Sequence, residues 1–324
     1  MLCFMSWQQT LAWSSHRVRE TLGVFAHTQA QTYELTYSVS ISAKRATPIT
    51  LAIPLPPNTH AQTIQDLTLH LPHTTAVRDE IFGNHILIAS LEPRAETIEM
   101  PVFRCLVTTK PRGVTPPPAA PPLTLRGGRD ATQTNNRLLH PDDPHIKQLA
   151  ERLGQGLSAS KTAARINAHL VQHLMYGDPV DGLYSDLEAL TRSRVDCGGF
   201  NTLFVSLCLA DNIPAHLVSG FWLDGNKNAM HAWAEFQVED GRWIPVDPSV
   251  EQMARAGRTH KSGRFGFVGS DRLTLSVGCD IPIQWNNKLF HAPILQHPFV
   301  LDGSSDIRCR GDIHVARSPV VPAV

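Results

Sequence analysis

The sequence lacks the patterns of several common protein classes. Its 324 residues contain no Cys-x-x-Cys pair and no His-Glu-x-x-His motif, which argues against a zinc site although 16 histidines are scattered along the chain. Lys plus Arg and Asp plus Glu number 29 each, so the formal net charge is +0 and favours neither nucleic acid nor an anionic membrane. We expect neither of these partners, no metal and no other cofactor.

Secretion and membrane signals are also missing. No run is long and apolar enough to span a bilayer, and residues 1–7 show no basic segment leading into an apolar one. The six cysteines lie too far apart for the disulfide framework of a small secreted domain. We therefore expect a cytoplasmic protein. The hydrophobic content of 42% and the charged content of 18% are ordinary for a globular chain.

The remaining patterns divide the chain into four parts. Alternating and β-branched runs without helical periodicity predict an antiparallel β-sandwich over residues 30–109. Residues 110–135 are rich in proline and predict an extended linker. Residues 136–301 show helical patterns followed by antiparallel strand patterns, which is typical of an α+β domain. Residues 302–324 are predicted to be a partly disordered tail.

Cys197 lies at the predicted start of a helix. Apolar residues then recur at helical spacing, which predicts a helix over about residues 198–211 with one buried face. Asp196 is a suitable N-cap and places Cys197 in the first turn, where free N–H groups and the helix dipole stabilise a thiolate. Gly198 and Gly199 would let a substrate backbone approach the sulfur. A buried structural cysteine is the alternative for this residue alone.

His231 and Asp247 lie on two runs that flank a predicted hairpin. A two-residue loop would place their side chains on opposite faces of the sheet. A three-residue loop, Glu239-Asp240-Gly241, with Gly241 in the left-handed position of a bulge, shifts the register by one residue. Asp247 then lies opposite Trp233, and His231 is its diagonal neighbour on the same face. We predict the bulged hairpin. We also expect the helix that carries Cys197 to pack on this antiparallel sheet.

Several separated motifs resemble the transglutaminase-like superfamily, including its bacterial members. They occur in the family's order over about residues 180–250 and are Cys197-Gly198-Gly199-Phe200, Ile213-Pro214-Ala215, His231-Ala232-Trp233 and Trp243-Ile244-Pro245-Val246-Asp247-Pro248. The resemblance implies a papain-like fold. It also implies that Cys197 is the nucleophile, that His231 is the general base and acid, and that Asp247 orients His231.

One feature departs from the family pattern. Animal transglutaminases place a Trp upstream of the nucleophile to stabilise the oxyanion, whereas this chain has no Trp between Trp13 and Trp222. Tyr184 is the nearest upstream aromatic hydroxyl and is our candidate oxyanion donor. Gly198, Trp222 and Trp233 are candidate substrate contacts.

These residues predict a cysteine-dependent enzyme that transfers acyl groups from protein or peptide amides through a thioester. We favour hydrolysis over cross-linking, because cross-linking requires the exclusion of water. The alternative is a non-catalytic protein-interaction module on an inert transglutaminase-like fold. The sequence gives no indication of the oligomeric state.

Overall fold

The computed structural model describes residues 27–44, 47–92, 97–113, 136–223, 229–303 and 306–318. Within these ranges the chain combines mostly antiparallel sheets with helices, which confirms the predicted α+β class. A β-rich N-terminal region precedes the helices, as expected. Most of the predicted linker, residues 114–135, lies outside the described ranges, so the domain boundaries stay predictions.

Eight strands build the β-rich region. They are β1 (Gln31–Ser42), β2 (Ile49–Leu55), β3 (Gln62–Leu69), β4 (Thr74–Arg78), β5 (His85–Leu91), β6 (Ile98–Thr109), β15 (Phe299–Asp302) and β16 (Arg308–Arg317). They pair as two sheets of order β16-β1-β6-β3 and β15-β2-β5-β4. Alternate apolar side chains of both sheets share one core, in which the rings of Tyr37 and Phe103 stack with centroids 5.1 Å apart.

The C-terminal residues correct the sequence prediction. Residues 302–324 were expected to be a partly disordered tail. Instead, β16 pairs antiparallel along β1 from Ser42↔Arg308 to Tyr33↔Arg317, and β15 pairs with β2. Strands β15 and β16 therefore complete the two sheets of the β-rich region, while residues 319–324 lie outside the described ranges. Its alternating burial suits an edge strand with one face on a core.

The second half of the chain holds the helices and a central sheet. The helices are α1 (Pro144–Gly154), α2 (Ala159–His173), α3 (Asp186–Thr191), α4 (Cys197–Ala210) and α5 (Pro248–Arg255). The strands are β7 (Met175–Tyr176), β8 (Arg194–Val195), β9 (Ala215–Trp222), β10 (Met230–Gln237), β11 (Trp243–Val246), β12 (Arg272–Val277), β13 (Ile281–Trp285) and β14 (Lys288–Ala292). The central sheet has the order β11-β10-β9-β12, and β13 pairs with β14.

Helix α4 is the centre of the second core. Every residue from Gly198 to Leu209 is buried, which corrects the expectation of a single buried face. The helix contacts α1, α2, α3 and α5 as well as β9 and β10, so apolar neighbours surround it. A helix that is apolar all round is stable only in such a buried place. The surrounding elements therefore fix the position of its first residue, Cys197.

The hairpin between β10 and β11 has the predicted register. Ala234 pairs with Val246 and Gln237 with Trp243, which is the register of the three-residue loop. Val238 N–H donates to Arg242 O at 2.9 Å, and Gly241 has φ +85°. The bulged hairpin is therefore confirmed, and with it the parity that places His231 and Asp247 on one face.

Replacing Gly241 by Val should destabilise the protein by about 1–2 kcal/mol, because a β-branched residue is strained at positive φ. A steric clash is not the cause, because the nearest atom to an added Cβ is Gln237 Nε2 at 4.0 Å. Turnover should fall as well, because the loop sets the register. Gly156→Val is the matched control: it has φ +71° and nothing within 4 Å of an added Cβ. It should lose similar stability, measured by denaturant unfolding, and keep its turnover per folded molecule.

The segment after α5 also differs from expectation. The glycines and basic residues of residues 252–267 favour a mobile surface loop. In the structure the helix α5 continues to Arg255, Ser262 is buried within the following loop, and burial is continuous over residues 267–273, with Phe267 and Val268 each 4% exposed. The loop thereby covers the face of the central sheet that carries His231. Among the described residues, none of the helices combines the length and the apolarity needed to cross a bilayer.

Candidate active site

Cys197 is the first residue of α4. The Asp196 side chain caps the helix by accepting from Gly199 N–H at 3.1 Å, as the sequence predicts for an N-cap. A second oxygen of the same carboxylate accepts from Val180 N–H at 3.2 Å, which ties the preceding loop to the helix start. The Cys197 side chain is partly exposed, whereas Cys208 on the same helix is fully buried.

Ala232 connects Cys197 to the strand that carries His231. Even-numbered residues of β10 direct their backbone groups toward β11, as the bond between Val238 and Arg242 shows. Strand β11 ends at Val246, so the backbone groups of Ala232 have no strand partner on that side. Helix α4 supplies the partners instead. Asn201 Nδ2 donates to Ala232 O at 3.0 Å, and the Ala232 backbone lies close enough to the Cys197 thiol to lower its pKa against the effect of burial.

His231 and Asp247 form a buried hydrogen-bonded pair. His231 Nε2 lies 2.7 Å from Asp247 Oδ2, and the two side chains are 3% and 0% exposed. The other carboxylate oxygen, Oδ1, accepts from Ser249 Oγ at 2.8 Å and from Val250 N–H at 3.0 Å, so Asp247 is also the N-cap of α5. This bond occupies Nε2 of the imidazole and leaves Nδ1 as the nitrogen for proton exchange.

Arg272 is a fourth residue of the candidate site, and the sequence analysis did not identify it. Its Nη1 lies 2.6 Å from the same Asp247 Oδ2 that contacts His231. Its Cζ lies 4.4 Å from the ring centroid of Trp222 and 5.3 Å from that of Trp233. The His231 ring stacks on Trp222 at 4.4 Å and lies 6.2 Å from Trp233. Imidazole and guanidinium therefore lie side by side against two indoles, with the carboxylate between them.

Burial sets the protonation states of the resting site. Burial, together with the Asp196 and Asp247 charges, raises the pKa of the Cys197 thiol to about 12, although the backbones of Ala232 and Gly198 act to lower it. Burial also lowers the pKa of His231, against the effect of Asp247. The expected stabilisation of a thiolate by the helix start is thus outweighed in this state. Cys197 rests as a thiol and His231 as a neutral imidazole.

Asp247 remains a carboxylate. Burial alone would raise its pKa, but His231 and Arg272 hold the pKa below its usual range. A carboxylate that accepts from four donors is strongly favoured over its acid. The site therefore combines a neutral thiol, a neutral imidazole and a fixed negative charge behind the imidazole.

Tyr184 does not fit the role of oxyanion donor. Its hydroxyl has a single hydrogen, which it donates to Asp178 O at 2.7 Å, and the residue is 3% exposed. The ring instead packs near Gly199, where an added Cβ would approach Tyr184 Cδ2 to 3.2 Å. Tyr184 therefore fixes the loop that precedes α4, and the oxyanion assignment is corrected.

The candidate substrate contacts are buried in the structure. Gly198 lies against Leu183, whose Cδ1 would be 2.5 Å from an added Cβ, so this glycine permits close packing of the loop on the helix start. Trp222 and Trp233 are 4% and 3% exposed and contact His231 and Arg272. None of the three offers an open surface to a substrate in this state. Their shared role is to enclose the polar pair.

Two further polar residues hold the site in place. Asn201, one turn after Cys197, donates to Cys197 O at 2.8 Å. Gln296 Nε2 donates to His231 O at 2.7 Å and to Gly220 O at 2.9 Å. A side-chain amide within the mostly apolar α4 is a signal that could have identified Asn201. Gln296 gives no such signal, because it lies in a loop far along the chain. No group of three or more His, Cys, Asp or Glu in the described ranges is arranged to hold a metal.

The chain is similar to known proteins in sequence pattern and in fold. Residues 147–248 match the family model described as the transglutaminase-like superfamily. A candidate cysteine protease from Cytophaga hutchinsonii has a similar fold, with a TM-score of 0.57 and 15% identity over 91% of this chain and 94% of that chain. The periplasmic domain of TgpA from Pseudomonas aeruginosa has a TM-score of 0.36 and 14% identity over 75% of this chain and 94% of that chain.

None of the curated protein sequences matches the chain. The family match spans the region that contains Cys197, His231 and Asp247, and the predicted resemblance to this family is confirmed. Residues 147–248 therefore match the transglutaminase-like superfamily in sequence, and the fold is similar to that of the Cytophaga hutchinsonii protein.

Proposed function

We propose that the protein is a cysteine-dependent hydrolase of protein or peptide amides, with Cys197 as nucleophile, His231 as general base and acid, and Asp247 as the residue that orients His231. One observation carries the proposal. His231 Nε2 and Asp247 Oδ2 form a buried bond 2.7 Å long, and His231 adjoins Ala232, whose backbone lies close to the Cys197 thiol. Nucleophile, base and orienting group are the parts that acyl transfer needs.

The reaction follows from these positions. The Cys197 sulfur attacks the carbonyl carbon of the amide, and the thiol proton passes to His231. The imidazolium then gives this proton to the departing amine, and a thioester with Cys197 remains. Water attacks the thioester while His231 takes its proton, which releases the acid and restores the thiol. Asp247 stabilises the imidazolium that forms in both steps.

Hydrolysis is favoured over cross-linking by the exposure of the nucleophile. Cys197 is partly exposed, so water can reach a thioester formed there. Cross-linking would require an amine to compete with water at about 55 M, which a closed channel achieves by excluding solvent. The backbone N–H of Gly198, which adjoins the sulfur, is a donor for the oxyanion in place of Tyr184.

A peptide-amide library incubated with the protein tests this function. Mass spectrometry should detect hydrolysed products and an acyl adduct on Cys197, and both should be absent with Cys197→Ala. Adding a primary amine distinguishes the two outcomes, because cross-linking would replace the acid by the amine adduct. The rival function, a non-catalytic interaction module, predicts no acyl adduct and equal binding of a protein partner by both variants.

A further inference from the structure

Arg272 shares one carboxylate oxygen with His231. Asp247 Oδ2 lies 2.7 Å from His231 Nε2 and 2.6 Å from Arg272 Nη1, while Oδ1 is occupied by Ser249 and Val250. The carboxylate therefore cannot rotate without breaking bonds at both oxygens. The position of the oxygen that orients the imidazole is fixed in part by the guanidinium.

We propose that Arg272 is a positioning residue of the candidate active site, which fixes Asp247 and keeps His231 and Cys197 in their neutral forms until a substrate binds. This inference rests on the function proposed above and adds a regulating charge to it. A site with only cysteine, histidine and aspartate would favour transfer of the thiol proton to the imidazole in the resting state, because the carboxylate stabilises the imidazolium. Arg272 neutralises that carboxylate in advance.

The arginine is enclosed by other groups that restrict its movement. It is 5% exposed, and its guanidinium lies against Trp222 and Trp233. Its Nη2 donates to the backbone oxygen of Ser262, in the loop that covers this face of the sheet. Gly263 follows directly, and an added Cβ there would lie 3.0 Å from Asp247 Oδ2. A buried site of this kind strengthens the electrostatic effect of a charge on the pKa of its neighbours.

The charged groups around His231 come from several elements. Asp247 follows β11, Arg272 begins β12, and Lys261 lies in the covering loop, with its Nζ 4.0 Å from the ring centroid of Trp222. Asp247 raises the pKa of His231, whereas burial, Arg272 and Lys261 lower it.

On the side of α4, Asp196 and Cys197 adjoin the site. Burial and Asp196 raise the pKa of the thiol, and burial and a Cys197 thiolate raise the pKa of Tyr176 on β7. Asp196 and Asp247 thus oppose the thiolate, and Arg272 and Lys261 oppose the imidazolium. Both members of the pair are held neutral, and Arg272 also bonds Asp247.

The wild-type protein provides the first test. The rate at which iodoacetamide labels Cys197, followed by mass spectrometry of its peptide, should rise with pH and reach its midpoint at or above the ordinary cysteine value of about 8.5. A midpoint below about 7 would mean that the thiolate and the imidazolium already exist as an ion pair at rest. That result overturns the proposal whether or not any variant folds.

Two substitutions separate the charge of Arg272 from its hydrogen bond. Arg272→Gln keeps a donor for Asp247 and removes the charge, so the labelling midpoint should fall by about one pH unit or more. Arg272→Lys keeps the charge and one donor, so its midpoint should stay near that of the wild type. Folding of both is checked by thermal unfolding. Equal midpoints in the Gln variant and the wild type, or equal falls in both variants, contradict the proposal.

This readout does not depend on a substrate. If Cys197 labels as proposed but no peptide amide is hydrolysed and no acyl adduct forms, the proposed function fails while the role of Arg272 in setting the thiol midpoint stands. If amides are hydrolysed but the labelling midpoint does not change with the charge at residue 272, the function stands and the inference about Arg272 fails.

Discussion

Replacing Cys197 by Ala should lower turnover by on the order of 10⁴-fold or more and leave the fold unchanged. No other group in the site can form the thioester, because a thioester requires a thiol and the other cysteine of this helix, Cys208, is fully buried. The fold should survive because the cysteine side chain is partly exposed and small, at the end of a helix that is held by its buried residues. Unfolding free energy should change by less than about 1 kcal/mol.

Cys208→Ala provides the matched control. This cysteine lies on the same helix, belongs to the hydrophobic core around α4 and is 0% exposed. Removing its sulfur should cost about 1 kcal/mol of stability and leave the turnover of the folded protein unchanged. Amide hydrolysis should therefore fall in Cys197→Ala and stay unchanged in Cys208→Ala. The free energy of unfolding, measured with denaturant, should fall in Cys208→Ala and change little in Cys197→Ala. A Cys197→Ala protein that keeps its turnover contradicts the proposed chemistry.

The pairing of His231 with Asp247 could be predicted because strand parity is discrete. Side chains alternate between two faces, so one residue added to the loop decides whether the two groups can meet. Gly241 gave the signal for that extra residue, and the observed register agrees. The start of α4 could be predicted for a similar reason, since a capping Asp196 and helical spacing are both local signals.

Features that depend on distant parts of the chain could not be predicted. The pairing of β16 with β1 joins residues more than 260 positions apart, and no local pattern encodes it. Arg272 belongs to a strand, and the local sequence does not indicate that Asp247, 25 residues earlier, is its ion-pair partner. Long-range pairs of this kind are decided by packing, which a sequence read in short windows does not contain.

Two site expectations fail for one physical reason. Tyr184 was expected to serve an oxyanion and the helix start to stabilise a thiolate, and both interpretations ignored the groups that surround these residues. Asp178 O accepts the Tyr184 hydroxyl, and burial raises the pKa of Cys197. Local chemistry identified the residues, and their neighbours determine the roles they can take.

Replacing Asp247 by Asn should lower both turnover and stability. The amide has one oxygen, while the carboxylate accepts donors on two sides. If the amide nitrogen faces His231 and Arg272, the imidazole must adopt the other tautomer to accept from it, and Arg272 loses its partner. If the nitrogen faces the start of α5, it meets the Val250 N–H and the helix cap is lost.

Turnover of the Asn variant should therefore fall by about 10²- to 10⁴-fold, because the imidazole no longer presents a free Nδ1 to the thiol. Stability should fall by about 3 kcal/mol, because buried Arg272 loses its 2.6 Å carboxylate partner and keeps only Asp271, whose Oδ1 lies 3.7 Å from Arg272 Nε. The double variant Asp247→Asn/Arg272→Gln removes that charge, so it should recover part of the stability and none of the turnover. Hydrolysis rates and denaturant unfolding of the two variants separate these effects. Wild-type turnover in the Asn variant would mean that Asp247 serves only as the cap of α5.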